Sequence, residues 1–360
     1  MNDDVRNIPA FSIAFIIIGA LFGAAFASGQ EMLKFFCAYG SMGILGFIVC
    51  FILYISFGIM VCELGRIRNS NRMEEIAAPS DSPILKKIIS VVMLFCLLVI
   101  LIALLAAGDA LFMSQLNMPK GVGGLMITAF VIITNILGFD GIRKIMPVVI
   151  PVMLVIMLGI TLGIIIFTDH AEPVDPGKFM SPLAPNWILG ALLYLAYNFI
   201  AAIPVLSTLP KNRKAKKQVY KGMFIGFLAT CVFGFLIYCA LMTDIDAAGT
   251  YELPMAYLSG KLSPATGVIY SLIMVIAIYS ASSNCLYGLT KELNKENRNK
   301  RIAVIVLIGA AAYLVSLVGF SQLVTYVYPV QGYACIMLMV LMLITFIKYK
   351  RKELKDQKNS

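Results

Sequence analysis

Long apolar stretches follow one another along almost the whole chain, separated only by short polar links. A run of about 20 apolar residues is what a helix needs to cross the hydrocarbon core of a bilayer. On this measure the sequence predicts ten spans, at 9–36, 42–65, 86–113, 121–138, 145–168, 186–209, 220–242, 264–289, 301–320 and 322–347. The last two are divided only by Gly319-Phe320-Ser321-Gln322. A soluble fold is excluded: 60% of the residues are hydrophobic and 13% charged, against roughly 45–50% and about 25% in soluble domains. The expected architecture is an all-α integral membrane protein with a single transmembrane domain over 1–360. Met1–Pro9 is polar, and no small-residue cleavage site follows the first apolar run, so no cleavable signal peptide is expected.

The net charge of +10 does not point to nucleic acid, because the basic residues sit in short clusters between apolar runs. Of the 29 Lys and Arg residues, 25 fall at the N-terminus, after the even-numbered spans, or in the tail 348–360. Basic loops stay in the cytoplasm, so both termini are expected there, with the multi-pass chain in a bacterial plasma membrane. The other face carries the acidic, proline-rich loop Asp169–Pro185 and the loop Thr243–Ser263. In the latter, Met255–Leu262 is long enough for a short helix, either a cap over a vestibule or a connector. The eight cysteines lie in or beside apolar segments, with no CxxC pair and a single histidine, His170. Neither a disulfide framework nor a structural zinc site is expected, and no cofactor is.

The informative features are breaks within apolar segments. The first span turns from Ile13–Leu21 into Gly23-Ala24-Ala25-Phe26-Ala27-Ser28-Gly29-Gln30-Glu31. Small residues allow helices to approach closely, but close packing does not account for Glu31. A carboxylate at such depth costs at least ~2–3 kcal/mol unless paired or hydrated. In the sixth span, Tyr197-Asn198-Phe199-Ile200-Ala201-Ala202-Ile203 runs into Pro204, which frees a carbonyl one turn back. Two five-span halves, 9–168 and 186–347, would each open with an interrupted helix and enter the membrane from opposite sides. Such a 5+5 inverted repeat with discontinuous first and sixth helices marks a transport site at its pseudo-two-fold.

The eighth span carries Tyr279-Ser280-Ala281-Ser282-Ser283-Asn284. One face offers the Tyr279 carbonyl and the Ser282 and Ser283 hydroxyls to a cation, or else the serines bond back to their own helix or help two helices pack. Asp109, towards the outer end of the third span, faces a vestibule or reaches interfacial water. Glu63 lies close enough to pair with Arg66 or Arg68. Glu31 and Asp109 are the candidates for proton coupling.

The run Gly23–Glu31 with Phe35-Phe36, together with Gly138-Phe139-Asp140-Gly141, Glu252-Leu253-Pro254 and Tyr328-Pro329-Val330-Gln331-Gly332-Tyr333, resembles the YkvI-like membrane proteins of bacteria, within the amino acid–polyamine–organocation superfamily. The resemblance covers nearly the whole chain. It implies the LeuT fold, with substrate between the first, third, sixth and eighth spans. It also implies a Na⁺-type site made of the Gly23, Phe26 and Tyr279 carbonyls with the Ser282 and Ser283 hydroxyls. The seventh span has no asparagine to match a second sodium site of such relatives. Leu154–Phe167 in the fifth span has no base to replace sodium, so Na⁺ is favoured over H⁺ as coupling ion.

The function expected is secondary transport of a small solute, an amino acid or related compound, by alternating access. Substrate-binding candidates are Ala25, Ala27, Ser28, Gly29, Gln30, Tyr197, Asn198, Phe199 and Ala201, with Phe26 and Phe199 as hydrophobic gates. The alternative is a non-transporting receptor on the same fold. An enzyme is not expected: the sequence has no Gly-x-Ser-x-Gly, and its one histidine falls in an outer loop. Substrate identity and oligomeric state are left open by the sequence.

Overall fold

The computed structural model describes residues 9–21, 24–68, 70, 72–137, 140–169, 171, 175–209, 213–290 and 298–358, and among these there is no strand. The first apolar run is divided into α1 (Ala10–Leu21), α2 (Ala24–Ser28) and α3 (Gln30–Phe35). After a 3₁₀ turn at Cys37–Tyr39 come α4 (Met42–Arg68), the short α5 (Met73–Ala77), α6 (Pro83–Leu116), α7 (Val122–Leu137) and α8 (Asp140–Phe167). The second half holds α9 (Trp187–Thr208), α10 (Arg213–Met242), the short α11 (Ile245–Ala248), α12 (Pro254–Leu262), α13 (Pro264–Thr290), α14 (Arg298–Ser316), α15 (Phe320–Gln322) and α16 (Tyr328–Lys358). Local chemistry sets many of these limits. Prolines that have no amide to lose open α6, α12 and α13. The Asn186 side chain accepts the Leu189 N–H at the start of α9, and Asn117 in the left-handed conformation ends α6.

Seven of these helices are long and apolar enough to cross a membrane, and Ala10–Leu21, Val122–Leu137 and Trp187–Ile203 are shorter apolar helices. Large apolar side chains cover the outer surface, with Leu137 80% and Phe167 76% exposed. In water that would be a liability; in lipid it is the expected exterior. Inside, α1 packs against α10 and α9 against α4, while α6 packs against α13 and α7 against α14.

One expectation is corrected. The sixth segment is not discontinuous, because α9 runs unbroken from Trp187 to Thr208. A proline deletes one backbone donor but leaves the rest of the ladder, and with no water to replace those bonds the helix continues. A second interruption does exist, in the last apolar segment. There Gly319 (φ 109°) precedes the single turn α15, and a π-helical turn follows at Leu323–Val327 before α16 begins. The break between the last two spans falls at 317–319 and so includes Gly319, the first residue of the interruption expected at Gly319–Gln322. The helix α16 carries on through the basic stretch after residue 347 to Lys358.

Candidate functional site

The interruption of the first span sits at Gly29, which has φ 81° and ψ −10°. That conformation costs any residue with a Cβ roughly 1–2 kcal/mol. A Cβ here would also stand 2.7 Å from Cγ of Met255 on α12. The polar atoms released at the break find local partners. Gly29 N–H donates to the Phe26 carbonyl (3.3 Å), and the Ala27 carbonyl accepts from the Tyr270 hydroxyl of α13 (2.7 Å). Ser28 Oγ accepts the Gln30 N–H at 3.1 Å. The chain then restarts as α3, with Gln30 0% and Glu31 3% exposed.

Gln30 Nε2 donates to Ser321 Oγ at 2.6 Å, just beyond the Gly319 break, and Gln30 Oε1 has no partner. The Glu31 carboxylate faces Tyr197 and Asn198 of α9. These side chains lie close without closing the pair: Glu31 Oε2 and the Tyr197 hydroxyl are both buried without a hydrogen-bond partner, and Asn198 Nδ2 donates instead to the Tyr194 carbonyl (3.2 Å). The Tyr197 ring centre lies 5.0 Å from that of Tyr328, 5.6 Å from Phe35 and 5.6 Å from Tyr194. The result is a buried carboxyl group walled by aromatic rings.

A second group of unsatisfied oxygens lies on α13, which packs against α2. Ser282 and Ser283 are fully buried, and neither hydroxyl has a hydrogen-bond partner. On the same helix Ser271 and Thr290 do bond back to the carbonyls four residues earlier, so back-bonding is the ordinary outcome that these two serines do not follow. Asn135 of α7 donates to the Ser283 carbonyl at 3.4 Å and to that of Val131 at 2.9 Å, while its Oδ1 is unpartnered. The Tyr279 hydroxyl shares a hydrogen bond with Thr134 Oγ1. The Phe26 carbonyl already accepts from Gly29, and Gly23 lies outside the described residues.

Of the remaining predicted residues, Ala27 is buried, Ala201 is exposed and the Ala25 side chain is outside the described set. Phe26 stacks on Phe233 of α10, whereas Phe199 packs against Tyr54 and Phe57 of α4. The structure thus gathers Ser28, Gln30 and Glu31 with Tyr197 and Asn198. It adds Tyr54, Ser321 and Tyr328, which sequence reasoning did not single out as site residues.

A cavity of about 820 Å³ lies at one end of the bundle, lined by the end of α6 with Asp109, by Lys120, by Thr250–Leu253, by α12 and by Ser316 and Gly319. The helix expected at Met255–Leu262 is present as α12. Its Leu253 and Ala256 side lines this cavity, while Met255 abuts Gly29. Asp109, a candidate for proton coupling, is held by backbone N–H groups. Its oxygens accept the Gly121 N–H (both 2.9 Å) and the Gly124 N–H (3.0 Å), closing the N-terminus of α7. Glu252 does the same for α15, accepting from Phe320 N–H at 2.6 Å and Ser321 N–H at 3.0 Å. Lys261 pairs with Asp244 at 2.7 Å, which raises its ammonium above the usual lysine range.

The opposite end is tied by ions. Glu63 bonds Arg66 (2.9 Å), Lys216 of α10 (2.8 Å) and the Tyr220 hydroxyl (2.9 Å), and Arg66 continues to Glu353 of α16 (2.8 Å). The expected Glu63–Arg66 pair is therefore one link in a network joining three helices. Arg68 turns instead to Asp81 at 2.7 Å. All eight cysteines are free thiols.

No family model matches the sequence. The chain is similar to the uncharacterized membrane protein YkvI of Bacillus subtilis (strain 168), at 27% identity over 324 residues, covering 90% of this chain and 92% of that protein. It is also similar to the uncharacterized protein YyaD of the same organism, at 22% identity over 94% of this chain and 97% of the relative. Among solved structures, Mhp1, a nucleobase-cation-symport-1 family transporter in a closed conformation with bromovinylhydantoin bound, is similar at 14% identity and TM-score 0.48, over 95% of this chain and 75% of that one. The resemblance to YkvI read from the residues thus extends along nine-tenths of the chain, and its apolar helices make the protein a multi-pass membrane protein.

Proposed function

We propose that the protein is a secondary carrier that moves a small solute, an amino acid or related compound, across the bacterial plasma membrane by alternating access, coupled to Na⁺ or H⁺. The observation that carries this reading is the break at Gly29. It sets Ser28, Gln30 and Glu31 in the interior of an apolar bundle, opposite Tyr197 and Asn198. Irregular backbone at membrane depth is tolerated where protein buries it or where it lines a hydrated path, and an ionisable group there has a functional role by default.

The proposed frame is ten spans in a 5+5 inverted repeat of the LeuT kind, within the amino acid–polyamine–organocation superfamily. Reciprocal packing supports it. The first span packs on the seventh as the sixth packs on the second, through α1 with α10 and α9 with α4. The basic clusters support a cytoplasmic position for the ion-paired end around Glu63 and an outer one for the cavity beneath α12. One end is thus open while the other is tied, as one state of an alternating-access cycle would be. The unpartnered hydroxyls of Ser282 and Ser283, on the helix packed against α2, favour a Na⁺-type site there, to which hard neutral oxygens are suited.

Counterflow tests the reading without any ion gradient. Liposomes holding the purified protein and preloaded with an unlabelled amino-acid mixture should take up the labelled mixture. Asn198→Ala should abolish that exchange with folding retained. Binding without exchange would make the protein a receptor instead.

A further inference from the structure

Among the described residues, Glu31 is the acidic side chain in the central region with neither a salt bridge nor a backbone N–H donor. The salt bridges of the described residues all lie elsewhere, at Glu63, Glu74, Asp81, Asp244, Asp246 and Glu353. Asp109 and Glu252, also drawn into the fold, are held by backbone N–H groups. Glu31 has neither kind of support: it is 3% exposed, and Oε2 has no donor. Lys34, one turn on, points its ammonium over the Phe179 ring at 6.0 Å.

The groups around the carboxyl are aromatic and neutral. Tyr54 comes from α4, Tyr194 and Tyr197 from α9, and Tyr328 from α16. The thiols of Cys50, Cys231 and Cys285 stand behind these rings, and Asn198 is the neighbouring amide. No lysine, arginine or histidine among the described residues joins them. An ionised carboxylate in such a place would draw in any donor within reach, yet the Tyr197 hydroxyl is left without a partner. Tyrosine rings beside an acid are, in turn, the surroundings that hold an ammonium group, through the ring faces and the carboxylate together.

We propose that Glu31 is a single cation site shared by a proton and by the ammonium group of the solute, so that the carrier exchanges one for the other. This rests on the carrier reading above and names its coupling residue. With the site buried as it is here, a proton is bonded to a Glu31 oxygen and no charge is buried. When the site opens, that O–H bond breaks, the proton passes to water, and the ammonium of the entering solute takes its place between the carboxylate and the tyrosines. Release on the other side is the reverse, with a proton from water restoring the O–H bond. Because the carboxylate crosses only when neutralised, each crossing carries one cation, and net transport results when solute ammonium crosses one way and a proton the other.

Two measurements test this on the full chain. Infrared difference spectra of purified wild type and Glu31→Gln at neutral pH should differ by the carbonyl stretch of a protonated carboxylic acid, and superimposable spectra would overturn the proposal whatever the solute. In weakly buffered solution with a pH indicator, adding ethylamine or the amino-acid mixture should release about one proton per solute bound by the wild type and none from Glu31→Gln. The apparent affinity of the variant should fall about tenfold or more, the scale of a lost charge-assisted bond. Glu31→Asp keeps the acid and should keep both the band and the release. Exchange by the wild type that Glu31→Gln retains in full would sink the shared site and leave the carrier standing. A wild type that shows the band but never exchanges solute would instead sink the carrier reading, and the exchange with it.

Discussion

Gln30 and Ser321 are 291 positions apart, yet Nε2 of one donates to Oγ of the other at 2.6 Å. Each residue follows closely on a glycine with positive φ, Gly29 at 81° and Gly319 at 109°. The two interruptions of the helical bundle therefore meet, and a side-chain hydrogen bond joins the strand of chain leaving one to the strand leaving the other. Glu252 holds the second break from the loop above, through the Phe320 and Ser321 amides. Any motion of α3 is thereby coupled to the start of the last helix.

Removing one partner of this bond should cost more than removing both. Ser321→Ala strands the Gln30 amide, whose Oε1 already lacks a partner, and should lower stability by about 1–3 kcal/mol. Adding Gln30→Leu to that variant should recover part of the loss. Melting temperatures of the wild type, the two single variants and the double variant in detergent give the coupling directly, and additive effects would mean that the bond contributes nothing.

At Gly29 the backbone itself is the constraint. Gly29→Ala should cost about 1–2 kcal/mol from the left-handed conformation, with the contact to Met255 in addition. Met255→Ala in that background should relieve only the contact. Full rescue of stability and exchange by the second substitution would show that the backbone angle has no part.

Ser282 and Ser283 separate stability from ion binding. Their hydroxyls have no partner to lose, so Ser282→Ala and Ser283→Ala should leave melting unchanged or slightly raised in Na⁺-free buffer. If the pair binds Na⁺, the wild type should melt higher in Na⁺ than in choline, and the difference should vanish in both variants. A Na⁺ shift that survives in both would place the ion elsewhere.

The network at Glu63 predicts a change in access. Glu63→Gln removes the charge that Lys216 and Arg66 share and should loosen α4 from α10. Cys62 stands beside it with Sγ 3.4 Å from the Leu206 carbonyl. Maleimide labelling of Cys62, read by peptide mass spectrometry, should rise in the variant. Unchanged labelling would mean that these ion pairs do not hold that end closed.

The helical layout was legible because a bilayer allows so few solutions: apolar runs of spanning length became helices close to the expected limits. The break at Gly29 was legible because glycine, small residues and a polar pair coincide there, and no continuous lipid-facing helix accounts for Glu31. Pro204 misled, since the effect of one lost hydrogen bond depends on whether the surrounding ladder has anything else to bond. Asp109 and Glu252 show what sequence hides. Both cap helices distant in the chain, at Gly121 and Phe320, and nothing local to either acid reveals its partner. The tyrosines around Glu31 were hidden for a related reason, because a single aromatic in an apolar run looks the same whether it faces lipid or a buried carboxyl.

Accumulation is the most direct test of the central claim that polar groups at the Gly29 break carry solute across. Liposomes containing the purified protein, supplied with a labelled amino-acid mixture, should concentrate label above the outside level under an imposed Na⁺ gradient or pH difference. Gly29→Ala should not do so, nor should protein-free liposomes. Label that never exceeds the outside level under either gradient, with folded wild-type protein present, would contradict the account.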